Sequence, residues 1–285
     1  MAMMIGAATP LWAEDLEAGL KRGDELLKTL APLPATYANT IYLEADFAGT
    51  TVGVEELALE ARRDEGQVRY RYRYRQSIGV PDGRTMLVKV EAVADANFAP
   101  LEVRWETTTV KPNGQQVSAR GLTRVTAGKV TVHEEDEEQG TSSEKELARP
   151  EGPFIIAASF LLQRVQPPDD EPFVLRVFRP AEGTVVRQVF KTNWQPDGTI
   201  QVDVQNEGEG PVGYYRLDKD RQLLGFQEPG VFMAMKRSTK EKVEQYEQEW
   251  RRPKPLPTQP TSGPASRPAA SQPKQRRDKK STTPA

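Results

Sequence analysis

The sequence predicts a mainly β protein (α+β), in which a single curved antiparallel sheet wraps a buried helix and further helices lie near both ends. Three observations predict this fold. From Ile41 onward, apolar and polar residues alternate with a period of two, which is typical of strands that bury one face. Turn signals such as Pro-Asp-Gly and Pro-Asn-Gly separate several of these runs, so consecutive strands are expected to run antiparallel. One continuous apolar segment lies between two groups of such runs.

The amino terminus is the first element. Residues Met1–Ala13, MAMMIGAATPLWA, are apolar and uncharged, and we interpret them as the remnant of a secretory signal peptide with Ala13 at the cleavage position. The basic start of such a signal is missing, so a flexible amino terminus is the alternative. On the first interpretation the protein is exported to the periplasm or cell envelope. No later segment approaches the roughly 20 apolar residues that a membrane span needs, so no transmembrane span is expected.

A helix is predicted next, because Leu16, Leu20, Leu27 and Leu30 fall on one side of a helix that Pro32 ends. Alternating runs follow and predict a first group of strands. They are Thr51–Ala61, Val68–Ser77, Thr85–Ala94, Leu101–Val110, Val117–Thr126 and Lys129–Val132.

The second of these strands, VRYRYRYRQS, places tyrosines on one face and arginines on the other. One interpretation is a half-buried strand, with Tyr70, Tyr72 and Tyr74 inside and the arginines in water or paired with acids on neighbouring strands. The other is a nucleic-acid surface, in which rings stack on bases and arginines contact phosphates. Strict alternation sends the two groups to opposite faces, where one ligand cannot reach both. The pattern therefore favours an ordinary strand, and no specific nucleic-acid partner is expected.

The acidic run His133–Glu138 follows the last strand of this group. Clustered carboxylates are candidate calcium ligands, but the D-x-D-x-D-G spacing of a dedicated calcium loop is absent. We therefore expect a solvated loop here and predict no metal site.

The continuous apolar segment is GPFIIAASFLLQRV, Gly152–Val165. Pro153 suits the first position of a helix, and Pro167 lies beyond its end, so a helix of about three turns is predicted. Apolar residues cover nearly its whole circumference, which indicates burial on more than one side. They are Ile155, Ile156, Ala158, Leu161 and Leu162.

A second group of strands completes the predicted sheet. They are Phe173–Phe178, Thr184–Trp194, Thr199–Gln205, Val212–Leu217, Gln222–Gln227 and Val231–Met235. Ser238 and Glu241 then form a predicted capping box, which begins a last helix with an apolar stripe. Val243, Tyr246 and Trp250 make up that stripe.

Residues 14–250 are thus expected to form a single β-rich domain, followed by a tail of different composition. Arg251–Ala285 is rich in Pro, Ser and Thr, and we expect it to be disordered. It carries nine Lys and Arg against one Asp, which leaves 30 of the 39 basic and 40 of the 41 acidic residues in the body. The basic tail is expected to act as a linker or as a weak, salt-sensitive contact with anionic surfaces.

Several chemistries are excluded by composition. The chain has no cysteine, which excludes disulfides, thiolate nucleophiles and cysteine-bound metals. His133 is the only histidine, so a multi-histidine metal site is excluded and a serine hydrolase relay is disfavoured. Nucleotide-binding loop motifs are absent. We therefore predict no catalytic residues and no cofactor. A pair of carboxylates for glycoside hydrolysis stays open, because such a pair needs only spatial closeness.

Large apolar side chains are the candidate ligand-binding residues. The predicted cavity residues are Tyr72, Trp105, Ile155, Phe160, Phe190 and Trp194, with Phe232 also considered. The alternative is that these side chains are ordinary core residues.

The order of elements resembles the lipoprotein-carrier half-barrels of the bacterial envelope. The resemblance extends over roughly Tyr37–Trp250 and comes from GPFIIAASFLLQRV as the enclosed helix and from GYYRLDKDRQLLGFQEPGVFMAMKRSTKEKVE as the closing strand pair. It implies a curved sheet around helices, with a concave side that holds acyl chains. No functional residue is carried over from that family.

Three functional hypotheses follow. The first is a non-enzymatic, exported envelope protein that binds a hydrophobic ligand, a lipid or an acylated partner in the concavity. The second is an interaction or scaffold domain whose core is filled. The third is a carbohydrate-active enzyme.

Overall fold

A computed structural model describes residues 16–47, 49–64, 66–79, 83–166, 171–209, 211–228 and 233–251. The predicted signal segment Met1–Ala13, the residue Phe232, the side chain of Trp250 and the tail beyond residue 251 lie outside the described residues. No helix among the described residues has the length and apolarity that a membrane crossing demands.

The described residues form 14 strands and three helices, so the protein is mainly β as predicted. The helices are α1 (Leu16–Thr29), α2 (Ala158–Leu162) and α3 (Lys240–Arg251). The strands before α2 are β1 (Ala38–Phe47), β2 (Thr50–Asp64), β3 (Gln67–Gly79), β4 (Thr85–Ala94), β5 (Pro100–Val110), β6 (Gln116–Val125), β7 (Lys129–Asp136) and β8 (Thr141–Ala148). Those after it are β9 (Phe173–Arg179), β10 (Thr184–Trp194), β11 (Ile200–Asn206), β12 (Pro211–Leu217), β13 (Leu223–Glu228) and β14 (Met233–Arg237).

All 14 strands belong to one antiparallel sheet made of two meanders. Each strand pairs with its neighbour in sequence, except that β1 pairs with β14 and so joins the two meanders. In that joint Leu43 lies opposite Arg237 and Phe47 opposite Met233. The edge strands are β8 and β9, which are consecutive in the chain and are connected by the segment that contains α2.

The sheet is open between its edges but bends enough for its two ends to touch. The Thr123 hydroxyl of β6 donates a hydrogen bond to the Pro180 carbonyl at 2.7 Å, and Lys145 Nζ of β8 donates one to the Ala181 carbonyl at 3.3 Å. Both carbonyls belong to the turn between β9 and β10. A flat sheet would hold these strands far apart, since neighbouring strands are about 4.8 Å from each other.

The β9 edge is covered by other parts of the chain. The Ile155 amide donates to the Arg176 carbonyl at 2.9 Å, and the Phe178 amide donates to the Ile155 carbonyl at 2.8 Å. Helix α1 approaches the same strand so closely that a Cβ at Gly23 would overlap the Val174 carbonyl. Covering an edge in this way removes a template for pairing with other chains.

The apolar segment is buried, but its helix is shorter than predicted. Only Ala158–Leu162 is helical, and all five of these residues are buried. The prediction of a three-turn helix from Pro153 is wrong because Ile155 pairs with Val177 as an extended residue, and because the Ile156 amide donates to the Phe98 carbonyl at 3.2 Å. These long-range hydrogen bonds replace the helical ones.

Most of the acidic run is a strand rather than the predicted loop, and only Glu137 and Glu138 lie in the turn that follows. Strand β7 continues to Asp136, and β8, which was not predicted, pairs with it. Glu135 accepts a hydrogen bond from Arg120 Nε at 2.7 Å across the neighbouring strand. Strand β8 reads TSSEKELA and is almost entirely exposed, so it lacks the alternation that reveals a half-buried strand.

The terminal helices lie where they were predicted, with one change at the start of α3. Leu20 and Leu27 of α1 are buried, as is Val243 of α3. The predicted capping box of Ser238 and Glu241 is wrong, because the Lys242 amide donates to Thr239 Oγ1 at 3.4 Å. The Ser238 amide donates a hydrogen bond to the Tyr42 carbonyl at 2.8 Å, which extends the pairing of β14 with β1 by one residue.

The alternating strand β3 behaves as an ordinary half-buried strand. Tyr70 and Tyr72 are buried. On the other face Arg73 contacts Glu60 at 3.1 Å, and Arg75 contacts Glu247 of α3 at 2.7 Å. The interpretation that the tyrosines lie inside is confirmed for Tyr70 and Tyr72, and the pairing of arginines with neighbouring acids is confirmed for Arg73 and Arg75.

Candidate ligand-binding cleft

A cleft of about 300 Å³ lies between the start of α2 and the sheet. Its walls come from both meanders, on strands β1, β2, β3, β9, β10, β12, β13 and β14, and from residues 156–159. The pairing of β1 with β14 brings these strands together. Much of the lining is apolar, and includes Leu43, Leu57, Val177, Leu223, Phe226 and Met235.

Aromatic rings line two sides of the cleft. The alternation of β3 puts Tyr72 and Tyr74 on the inner face of the sheet, where both line the cleft. The Tyr72 ring meets the Phe160 ring of α2 edge-on, with 6.1 Å between centroids. On the other meander, the rings of Tyr215 and Phe226 are 4.9 Å apart. Half-buried rings at this position give a ligand rigid apolar surface at a low entropic cost.

One carboxylate, that of Glu55 on β2, lines the cleft. Glu55 is only 5% exposed. Tyr74 Oη donates to Glu55 Oε1 at 2.8 Å, and Gln76 Nε2 donates to the same oxygen at 2.6 Å. Among the described residues no donor reaches Oε2, and no lysine, arginine or histidine pairs with this carboxylate. Glu55 is therefore a buried acid with one satisfied oxygen and no countercharge in the described part of the chain.

The electrostatics of the cleft follow from this buried acid. Burial raises the pKa of Glu55 above its ordinary value of 4.5, although the hydrogen bonds from Tyr74 and Gln76 act in the opposite direction. Burial, and then the charge of Glu55, also raise the pKa of Tyr215 to about 12 and shift the pKa values of Tyr72 and Tyr74 upward. All three tyrosines therefore stay protonated and neutral at physiological pH.

Of the six predicted cavity residues, one lines the cleft and three are buried in the core. Tyr72 lines the cleft. Ile155 and Phe160 are buried in the main core. Phe190 is fully buried and stacks on Phe173 with 5.3 Å between ring centroids, so it packs within the core and does not line the cleft.

The two predicted tryptophans lie elsewhere. Trp194 is 50% exposed at the end of β10, and Trp105 does not line the cleft. The Trp105 ring covers Gly121 on the adjacent strand, where a Cβ would overlap it. Trp105 lines a separate surface groove of about 380 Å³, which we call the charged groove. Aromatic character alone predicted these two residues. Pairing through Val90 places Trp105 on the same face as Tyr74, but neither β5 nor the end of β10 at Trp194 lines the cleft.

The charged groove differs from the cleft in its polar residues. Lys89 contacts Glu106 at 3.1 Å, and Arg120 contacts Glu135 at 2.6 Å. His133 Nε2 lies 3.3 Å from Glu135 and also lines the groove. These side chains form cross-strand ion pairs in water, which are typical of an exposed sheet face. No cluster of three His, Asp or Glu residues with metal-binding geometry occurs in the described part of the chain.

The residue that sequence reasoning missed is Glu55. Its strand reads VGVEELALEA, and Glu55 lies two residues before Leu57 and four before Leu59. Period-two alternation therefore placed this acid on the buried face. An acid at an apolar position of the alternation was the available signal. Tyr74 and Gln76 could then have been found as its partners only from the register of β2 with β3.

Comparison with known proteins adds little. No protein-family model matches the chain, and no curated protein matches it. Among solved structures, the chain is similar to a beta-barrel-like protein of a domain of unknown function, DUF1849, from Brucella abortus. The two are 10% identical, the match covers 73% of this chain and 98% of that chain, and the TM-score is 0.45. A likeness of this degree identifies neither a family nor a ligand.

Proposed function

We propose that the protein is a non-enzymatic binding protein, and that its cleft holds a small hydrophobic ligand. The observation that carries this proposal is the cleft of about 300 Å³ lined by Leu, Val, Met, Phe and Tyr side chains with a single buried carboxylate. Ligand sites are usually concave, mostly apolar and supplied with a few placed polar groups, with volumes upward of roughly 300 Å³. The volume argues against the alternative of a completely filled core.

The proposed fold around the ligand is a half-barrel that encloses α2. Support comes from the contacts of the Pro180–Gly183 turn with β6 and β8, and from the burial of every residue of α2. The resemblance to the lipoprotein carriers of the bacterial envelope agrees with this arrangement and stays a proposal. In the same proposal, the inner face of the sheet takes the apolar part of the ligand.

The volume limits the ligand to a small molecule. At roughly 30 Å³ for a group the size of water, the cleft accommodates about ten non-hydrogen atoms. A buried chain of about eight carbons contributes about 6 kcal/mol, at ~0.8 kcal/mol for each methylene, before the cost of association is subtracted. We therefore expect weak binding by a plain alkyl chain, which polar contacts have to strengthen.

Filling the cleft tests the proposal. The substitution Met235→Trp places a larger ring in the cleft, while Val93→Trp places the same ring on β4 outside it, where Val93 is half-buried and does not line the cleft. We expect octanol binding, measured by isothermal titration calorimetry, to weaken at least tenfold in Met235→Trp and to be unchanged in Val93→Trp. Equal binding by the wild type and Met235→Trp contradicts the cleft as the site.

Native mass spectrometry of protein purified from its own cells identifies the natural occupant. A co-purifying small molecule that Met235→Trp loses supports the proposal. An acylated protein that co-purifies and is lost in the same variant identifies the acyl group of a partner as the occupant instead.

We also propose export to the periplasm or cell envelope, which the sequence of Met1–Ala13 supports. Sequencing of the amino terminus of the protein isolated from cells tests this. Cleavage after Ala13 is the expected result, and a retained Met1 on protein from the cell interior contradicts it.

A further inference from the structure

Glu55 has a chemical requirement that the described residues do not meet. A buried carboxylate is costly unless donors and a countercharge compensate it. Both observed donors, Tyr74 Oη and Gln76 Nε2, reach Oε1. The second oxygen, Oε2, has no donor among the described residues, yet it is not sealed from the open space of the cleft.

The surroundings of Glu55 supply no positive charge. The titratable side chains that line the cleft with it are Tyr72 and Tyr74 of β3 and Tyr215 of β12, and all three are neutral at physiological pH. Gln188 of β10 and Ser159 of α2 are the other polar lining groups, and both are uncharged. Among the described residues that line the cleft, Glu55 is thus the one carboxylic acid, and no basic side chain lines the cleft with it.

From this geometry we infer that the ligand carries a protonated amine, which donates a hydrogen bond to Glu55 Oε2 while its apolar chain lies against the walls of the cleft. The inference rests on the proposed function and names the class of ligand: an apolar monoamine. A protonated amine supplies both the missing donor and the missing countercharge, and such charge-assisted hydrogen bonds are about twice as strong as neutral ones. An alcohol supplies a donor only.

The same geometry disfavours the opposite class of amphiphile. A carboxylate or phosphate head next to Oε2 would place two negative charges in a buried site, where their repulsion is screened much less than in water. Apolar walls alone would accept a fatty acid and an alkyl amine equally well. Glu55 is therefore the residue that determines specificity in this cleft.

Three probes with the same chain test the inference: octylamine, octanol and octanoate, each titrated calorimetrically into the full-length protein at pH 8. We expect octylamine to bind at least tenfold more tightly than octanol, and octanoate to bind more weakly than both. As the pH falls through the raised pKa of Glu55, octylamine affinity is expected to fall toward that of octanol, because protonation removes the countercharge.

Two matched variants separate the role of Glu55 from a general change in charge. In Glu55→Gln the preference for octylamine over octanol is expected to fall to about twofold or less, and octanoate binding to improve. Glu56→Gln removes the same charge one residue away, where Glu56 contacts Arg75 at 3.3 Å on the other face, and should keep the wild-type order. Thermal unfolding of both variants checks that they are folded.

The outcomes distinguish this inference from the proposed function. If octanol binds in the cleft but octanoate binds as tightly as octylamine, or if Glu55→Gln keeps the amine preference, the inference is overturned and the binding function stands. If none of the three probes binds the wild type, both are overturned. If Glu55→Gln fails to fold, the order of the three probes on the wild type still decides the inference, and octanoate that binds as tightly as octylamine overturns it.

Discussion

The cleft and the charged groove have similar volumes, about 300 and 380 Å³, but they treat acidic side chains in opposite ways. In the groove, Glu135 is paired with Arg120 and is open to water. In the cleft, Glu55 is 5% exposed and has no cationic partner among the described residues. A paired acid on the surface costs the folded state little free energy, whereas an unpaired buried acid costs it much more. The comparison teaches that two cavities of similar volume can differ in whether the acids that line them are paired.

Removal of an aromatic side chain is expected to give the largest difference in the free energy of unfolding between the two regions. Tyr72→Ala removes a ring that is 8% exposed and packs on Phe160, so we expect a loss of about 3–5 kcal/mol in the free energy of unfolding. Trp105→Ala removes a half-buried ring from the groove, and we expect a loss of no more than about half as much. Urea denaturation measures both. Equal losses would mean that the groove is as much a part of the core as the cleft.

Removal of the hydrogen bond from Tyr74 to Glu55 is expected to give the second-largest loss in the free energy of unfolding. Tyr74→Phe leaves the carboxylate with one donor, and a hydrogen bond to a charged group contributes about 1.5–3 kcal/mol. Tyr214→Phe is the matched control, because the Tyr214 hydroxyl donates to the neutral Gln227 side chain, where about 1 kcal/mol is expected. Urea denaturation at pH 8 compares the two. A loss in Tyr74→Phe no larger than the control would indicate that Glu55 is uncharged at that pH.

The pH dependence of stability sharpens the comparison, because the two acids have opposite pKa shifts. Burial raises the pKa of Glu55, so its folded state binds the proton more tightly than the unfolded chain does. The contribution of Glu55 to stability is then fully present below pH 4.5 and is lost, at about 1.4 kcal/mol for each pH unit, as the pH rises from 4.5 to the raised pKa. We expect Glu55→Gln to remove this loss and to be more stable than the wild type at pH 8.

Glu135 should show the opposite dependence. The hydrogen bond from Arg120, followed by that from His133, lowers the pKa of Glu135. Its contribution to stability is present above the ordinary pKa and is lost as the pH falls through the lowered one. Glu135→Gln is therefore expected to be slightly less stable than the wild type at pH 8 and equal to it in strong acid. Thermal melts from pH 3 to pH 8 measure the stability of Glu55→Gln and Glu135→Gln relative to the wild type. If both variants were more stable, or both less stable, than the wild type at pH 8, the two acids would not differ as expected.

A change in salt concentration is expected to have the smallest effect on the stability differences between these variants and the wild type. Exposed ion pairs are screened when the Debye length falls to about 3 Å at 1 M salt, while buried groups are screened much less. The stability difference between Glu135→Gln and the wild type should shrink in 1 M sodium chloride, and the difference for Glu55→Gln should persist. Urea denaturation at low and high salt measures this. If salt removed the Glu55 effect, dissolved ions would have to screen this carboxylate as strongly as the exposed ion pair of Glu135.

Most of the sheet could be predicted from the sequence because its strands bury one face, and burial imposes a period of two. The strands β2 to β6 and β9 to β13 coincide with predicted alternating runs to within a few residues. Strand β8 was not predicted, because both its faces are exposed and its sequence therefore does not alternate between polar and apolar residues. The helix near position 158 is shorter than predicted. Ile155, which was expected in its first turn, instead makes backbone hydrogen bonds to β9, a strand that is distant in sequence.

By itself the sequence determined the class of fold, the position of its apolar segment and the absence of cysteine chemistry, because these depend on residue types and their local spacing. It also placed Tyr72 and Glu55 on the inner face of their strands. Only the tertiary structure decided which inner residues meet. The pairing of β1 with β14 brings Tyr215 and Phe226 to the same cleft as Glu55, more than 150 positions earlier in the chain. Alternation reports the face on which a side chain lies, whereas its neighbours across the fold are set by strand pairing over long sequence distances, which local pattern does not encode.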